Sequence, residues 1–127
     1  MLTIDTEKMG DVAVVRCNGR IVRGEGIRTL RNAVVSETDT RIIVLDLSEV
    51  ESLDAGGLTA LLSLHHWTRS HAIQLKLVNP SNFVREVLER TRLDRVFNIS
   101  SLHDALQVLG TRDCRQHHSV DRALLSA

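Results

Sequence analysis

Between Arg41 and Ser48 the chain reads RIIVLDLS. Ile42, Ile43, Val44 and Leu45 follow one another without a polar break, and three of them are β-branched. A strand with one wet face alternates apolar and polar residues, so an unbroken run predicts a central strand buried on both faces. Strands of that kind belong to parallel sheets, where neighbours return through helices. The next segment, Gly57 to about Ser70, fits this reading. Leu58, Leu61, Leu62, Leu64 and Trp67 recur there at helical spacing and make a wide apolar face.

The other elements fall in around this unit. LTIDTE alternates as a half-buried strand does, and VAVVRCNGRI follows the turn signal Met9-Gly10-Asp11. Together they predict an antiparallel pair, with the strand pattern stopping near Gly19. In RGEGIRTLRNAVVSE the period changes: Ile27, Leu30, Ala33 and Val34 form one stripe, leaving Arg28, Arg31, Asn32 and Glu37 to water. IQLKLV alternates through Ile73, Leu75 and Leu77. Asn79-Pro80-Ser81 reads as a turn and helix start, with Phe83, Val84, Val87 and Leu88 on the helix. DRVFNI predicts a short strand. Ser100 or Ser101 would cap a last helix carrying Leu102, Ala105, Leu106 and Leu109, ended by Gly110.

The predicted order is β-β-α-β-α-β-α-β-α, an α/β single domain over residues 1–110. It implies a mixed, mostly parallel sheet of about five strands with about four helices and right-handed crossovers. Residues 111–127 have no clear period and predict a flexible C-terminal tail, an expression remnant, or a segment packed on a second copy. A monomer or weak homodimer is expected.

Composition removes several classes of function. The 127 residues make one domain the default. Sixteen basic residues balance sixteen acidic ones, so no basic stripe points to nucleic acid or anionic lipid. Fourteen of the basic residues are Arg, planar forks suited to carboxylates and phosphates. Tyr is absent, and Phe83, Phe97 and Trp67 are too few for a base-stacking platform. Cys17 and Cys114 form no disulfide framework, MLTIDTEKMG is not a signal peptide, and no apolar run approaches the ~20 residues that span a bilayer. The expected setting is cytoplasmic, with reduced thiols.

Chemistry-bearing residues are scattered. His65, His66 and His71 include no i, i+4 pair, and Asp113, Cys114, His117 and His118 in the tail have no ordered frame to converge four ligands. Cys17 alternates with Val15 and reads as core. RGEGIR lacks the Lys-[Ser/Thr] of a phosphate loop and the Gly-x-Gly-x-x-Gly of a dinucleotide fold. No metal, no cofactor and no catalytic residues are expected, and the chain reads as a non-enzyme.

What stands out is the turn Asp54-Ala55-Gly56-Gly57-Leu58. Asp54 occupies a helix N-cap position, where its carboxylate can accept from the Gly56 or Gly57 amide and meet the positive end of the helix dipole. The glycines let another backbone come close. The turn lies at the carboxyl edge of the sheet, where open α/β sheets place ligands. A cap with two relieving glycines accounts for the turn as well as a docking role does.

RIIVLDLSEVESLDAGGLTALL, followed by FVREVLERTRLDRVFNISSLHDAL, resembles the STAS domain: the fold of bacterial anti-sigma factor antagonists, also found at the end of sulfate transporters. The similarity runs from about Thr3 to Leu109. It implies an anti-sigma factor antagonist that takes part in regulation of transcription by binding an anti-sigma factor of serine-kinase type. In such antagonists the motif usually reads Asp-Ser-[Ser/Ala/Thr]-Gly-Leu, and the kinase phosphorylates the Ser after the Asp. A phosphoserine adds about −1.5 to −2 charges at the partner-facing turn. Here that position is Ala55, which accepts no phosphoryl group, so the switch is expected to be absent there. Ser52 and Thr59 are weak substitutes. Val22 and Arg23 also stand where many antagonists carry an acidic residue.

The resemblance implies a docking surface of Asp54, Ala55, Gly56, Gly57 and Leu58, with Arg20, Arg23, Gly24 and Ser81 beside it. A bulky residue at Gly57 is expected to block the partner while leaving the fold largely intact. The same turn without its Ser also resembles the small STAS subunits of ABC transporters that maintain outer-membrane lipid asymmetry. In that reading the partner is the transporter ATPase.

Overall fold

The computed structural model describes residues 2–100. Strand β1 (Leu2–Met9) turns through Gly10, at φ 62°, into β2 (Val12–Ile21), and the two pair antiparallel. Helix α1 (Glu25–Val35), β3 (Ile42–Leu53), α2 (Ala55–Ser70), β4 (Gln74–Val78), α3 (Asn82–Arg90), a 3-10 turn (Leu93–Arg95) and β5 (Asn98–Ser100) follow. The five strands lie in the order β1-β2-β3-β4-β5, and every pair after the first is parallel. This is the predicted mixed, mostly parallel α/β sheet. The expected helix after Ser101 and the tail 111–127 lie outside the described residues.

All three crossovers step the same way across the sheet. Right-handed crossovers that never reverse place their helices on one face. The core agrees: Leu30 and Val34 of α1, Leu61 and Leu64 of α2, and Val84 and Leu88 of α3 pack with Ile43, Leu45, Leu47, Leu75 and Leu77. On the opposite face Val12, Val14, Ile42, Val44 and Val78 form a second buried cluster. The apolar run of β3 is thereby explained, since its alternate residues serve two cores. Asp46 is buried on this second face, where its carboxylate accepts from the Ser48 amide at 3.0 Å and lies 3.9 Å from the Arg16 guanidinium.

Five details differ from the sequence reading. Strand β2 does not stop near Gly19 but continues past two register shifts to the fully buried Ile21. Strand β3 runs on to Leu53, directly against the Asp54 turn. The segment DRVFNI is not one strand. Arg92 is left-handed, with φ 61°, and the Val96 and Phe97 amides donate to the Leu93 carbonyl, so local turn bonds hold the backbone until Asn98. Phe83 lies off the inward stripe of α3 and is 46% exposed, and Glu37 is half-buried, 3.7 Å from Lys8.

Candidate docking site

The start of α2 is tied to the end of β2 through one carboxylate. Asp54 has an extended backbone, with φ −97° and ψ −176°, as an N-cap requires. One oxygen of its side chain accepts from the Gly57 amide at 2.7 Å, closing the first turn of α2. The other accepts from the Arg23 amide at 3.1 Å, in the loop that leads into α1. Its own carbonyl accepts from the Leu58 amide at 2.9 Å. The Arg23 amide and then the Gly57 amide favour the charged form, with a smaller contribution from the Arg23 guanidinium, and hold the Asp54 carboxyl below the usual carboxylate range.

Gly57 serves the same joint from inside. It is buried, and a Cβ built on it would lie 2.1 Å from the Ile21 carbonyl oxygen and 2.7 Å from a Leu53 methyl. The close approach it allows is therefore to the chain's own β2. This corrects the expectation that a bulky residue here would leave the fold intact. Gly56 is less confined: its Cβ would meet Ile27, Arg23 and the Asp54 carboxylate at 3.3–3.4 Å.

Among the other predicted residues, Arg20, Arg23, Gly24, Asp54, Ala55 and Thr59 are exposed around this corner, while Ser52 and Leu58 are half-buried. Gly24 is the N-cap residue of α1 at φ 117°, a conformation that favours glycine. The Thr59 hydroxyl donates to the Ala55 carbonyl at 3.0 Å. Ser81 does internal work. Its hydroxyl donates to the Val50 carbonyl at 2.7 Å and accepts from the Val84 amide at 3.4 Å, capping α3 and tying it to β3. Because the strand order never reverses, the sheet has no topological switch point.

The sequence reading missed a groove next to this corner. Ile27, Arg31 and Val35, one side of α1 at i, i+4 spacing, face Gly56, Thr59, Ala60, Ser63, Leu64 and Trp67 of α2 across about 200 Å³. The i, i+4 spacing on α1 is legible in the sequence, and Arg31 is exposed as expected; the facing residues Gly56, Thr59, Ala60 and Ser63 of α2 carry no apolar period that would mark a groove.

His65, His71 and Cys17 take structural places. His65 packs edge-on against Phe97, with centroids 5.4 Å apart. His71 stacks on Trp67 at 4.2 Å. Among the described residues no three His, Cys, Asp or Glu groups are placed to hold a metal ion. Cys17 is buried, and burial, reinforced by the Asp46 charge, pushes its thiol up to about 12. No helix among the described residues is long and apolar enough to cross a membrane.

The arrangement is a one-way α/β sheet with helices on one face and a capped Asp turn at the start of α2. The sequence profile of the STAS domain matches residues 3–106, and the chain belongs to that family. It is similar to an anti-sigma factor antagonist from Mycobacterium paratuberculosis at 27% identity and a TM-score of 0.73, over 85% of this chain and 93% of the other. A protein from Thermotoga maritima assigned as an anti-sigma factor antagonist gives 25% identity and a TM-score of 0.72, over 82% of this chain and 92% of the other. A probable sulfate transporter of Arabidopsis thaliana is 32% identical over 66 residues, 52% of this chain but only 10% of the transporter. The domain thus occurs both alone and within transporters.

Proposed function

We propose that this chain is a non-enzymatic docking module in sigma-factor regulation, which binds an anti-sigma factor of serine-kinase type through the corner formed by Asp54, Ala55, Leu58, Arg20, Arg23 and Gly24. The observation that carries this reading is Ala55, exposed as the first residue of α2 beside Asp54, whose two carboxylate oxygens each accept from a backbone amide. An uncharged methyl keeps the corner in the shape that an unphosphorylated antagonist would present. The likeness to two antagonists at 25–27% identity supports the choice of partner. Binding is then constitutive at this position, in the cytoplasm, with control exerted elsewhere.

Titration of purified chain with the kinase-type anti-sigma factors of the same genome tests this. One of them is expected to form a complex, and with ATP no phosphate is expected on residues 52–59. Stoichiometric phosphate on Ser52 or Thr59 would show the switch moved, not lost. Ala55→Ser should accept phosphate and release the kinase on modification. Ala55→Glu should weaken binding about tenfold or more, in line with a coupling of roughly 1–3 kcal/mol, without unfolding the chain. Binding to a transporter ATPase and to none of the kinases would refute the reading.

A further inference from the structure

The groove between α1 and α2 has no part in the reading above. Its floor and walls are apolar: Ile27, Val35, Ala60, Leu64 and Trp67. One cation, Arg31, stands on its rim and forms no ion pair among the described residues. Thr59 and Ser63 also line the groove. Among the described residues no carboxylate lines it. At about 200 Å³ it is smaller than the roughly 300–1,000 Å³ of sites for drug-sized ligands, which restricts an occupant to one short apolar group. An apolar slot with a single guanidinium at its mouth matches a ligand of the same layout, apolar along its length and anionic at one end. Arg offers two parallel donors to a carboxylate, a geometry a neutral amide cannot use equally.

We infer that this groove is a binding site for a small amphipathic monocarboxylate, whose chain lies against Trp67, Leu64 and Ile27 and whose carboxylate pairs with Arg31. The groove includes Gly56 and Thr59, so it borders the docking corner on α2. If that corner docks a partner, as proposed above, ligand occupancy supplies a control that Ala55 no longer can. The binding site itself does not depend on that reading.

Trp67 is the only tryptophan of a chain without tyrosine, and it lines the groove, so its fluorescence reports occupancy directly. Octanoate is the probe and octanamide its neutral counterpart. Octanoate should change the emission saturably, with a dissociation constant below about 1 mM, and bind about tenfold tighter than octanamide. Arg31→Gln should remove that difference by weakening octanoate alone. Ala60→Leu should fill the groove and abolish binding of both, and its thermal unfolding midpoint shows whether it is folded. Arg31 is exposed, so the Gln variant remains informative if the Leu variant fails to fold. The proposal is overturned if octanoate gives no saturable change up to about 10 mM, or if Arg31→Gln binds octanoate as the wild type does. These titrations contain no protein partner, so they fail or succeed independently of the docking reading. A separate titration of the anti-sigma factor, with and without octanoate, reads the coupling.

Discussion

Asp54 shows how one side chain can belong to two elements. Its cap to Gly57 was legible in the sequence, because an Asp before a helical run followed by small residues has few other uses. Its bond to Arg23 was not, because the donor is a backbone amide 31 residues away, and amides leave no mark in a sequence. Asp54→Ala should lower the thermal unfolding midpoint at neutral pH. The Asp54 carboxyl is held below its ordinary value in the folded chain, so its contribution is fully present above the unfolded carboxyl value of about 3.9. It is lost as pH falls through the lower folded value. The gap between wild type and variant should therefore close on acidification, and a gap that widened toward pH 3 would contradict the assignment. Gly57→Ala is a sharper case. Its methyl group would meet the Ile21 carbonyl at 2.1 Å, so a loss near or above the top of the ~1–3 kcal/mol overpacking range is expected in chemical denaturation. Stability unchanged within error would mean that the joint yields easily.

At the scale of elements, the strong patterns carried through and the short ones did not. Strand β3 was visible because its alternate residues enter two cores, leaving no polar gap from Ile42 to Leu45. Its extension to Leu53 was hidden by exposed Ser48, Glu49 and Glu51. Strand β5 has three residues, too few for a period, and the turn at Leu93–Arg95 displaced it from the apolar pair Val96-Phe97. The helix start expected at Asn79-Pro80-Ser81 is present with Ser81 as its cap, and the Ser81 hydroxyl also reaches β3. Ser81→Ala removes both bonds and should cost about 1–2 kcal/mol in equilibrium unfolding. Ser81→Thr, which keeps the hydroxyl, should recover most of the loss. The α1–α2 groove escaped the sequence reading because Arg31 and Val35 border it beside Ile27, and neither belongs to the stripe of Ile27, Leu30, Ala33 and Val34.

Across the whole molecule, winding in one direction puts α1, α2 and α3 on a single face and sets the sheet between two buried clusters. Cys17 sits on the helix-covered side at 2% exposure, and its thiol at about 12 is scarcely ionised at neutral pH. In a Cys114→Ser variant, Cys17 should react with a thiol reagent only as fast as the chain unfolds, so its modification rate should follow that of unfolding in denaturant. Rapid modification of the native protein would mean that this part of the sheet opens locally. The Arg23–Asp54–Gly57 joint has a kinetic consequence. For the docking proposed above, a corner already fixed by its own bonds needs no rearrangement, so the observed association rate should rise in proportion to partner concentration without reaching a plateau. Substitutions at Ala55 would then change chiefly how long the two proteins stay together once they have met.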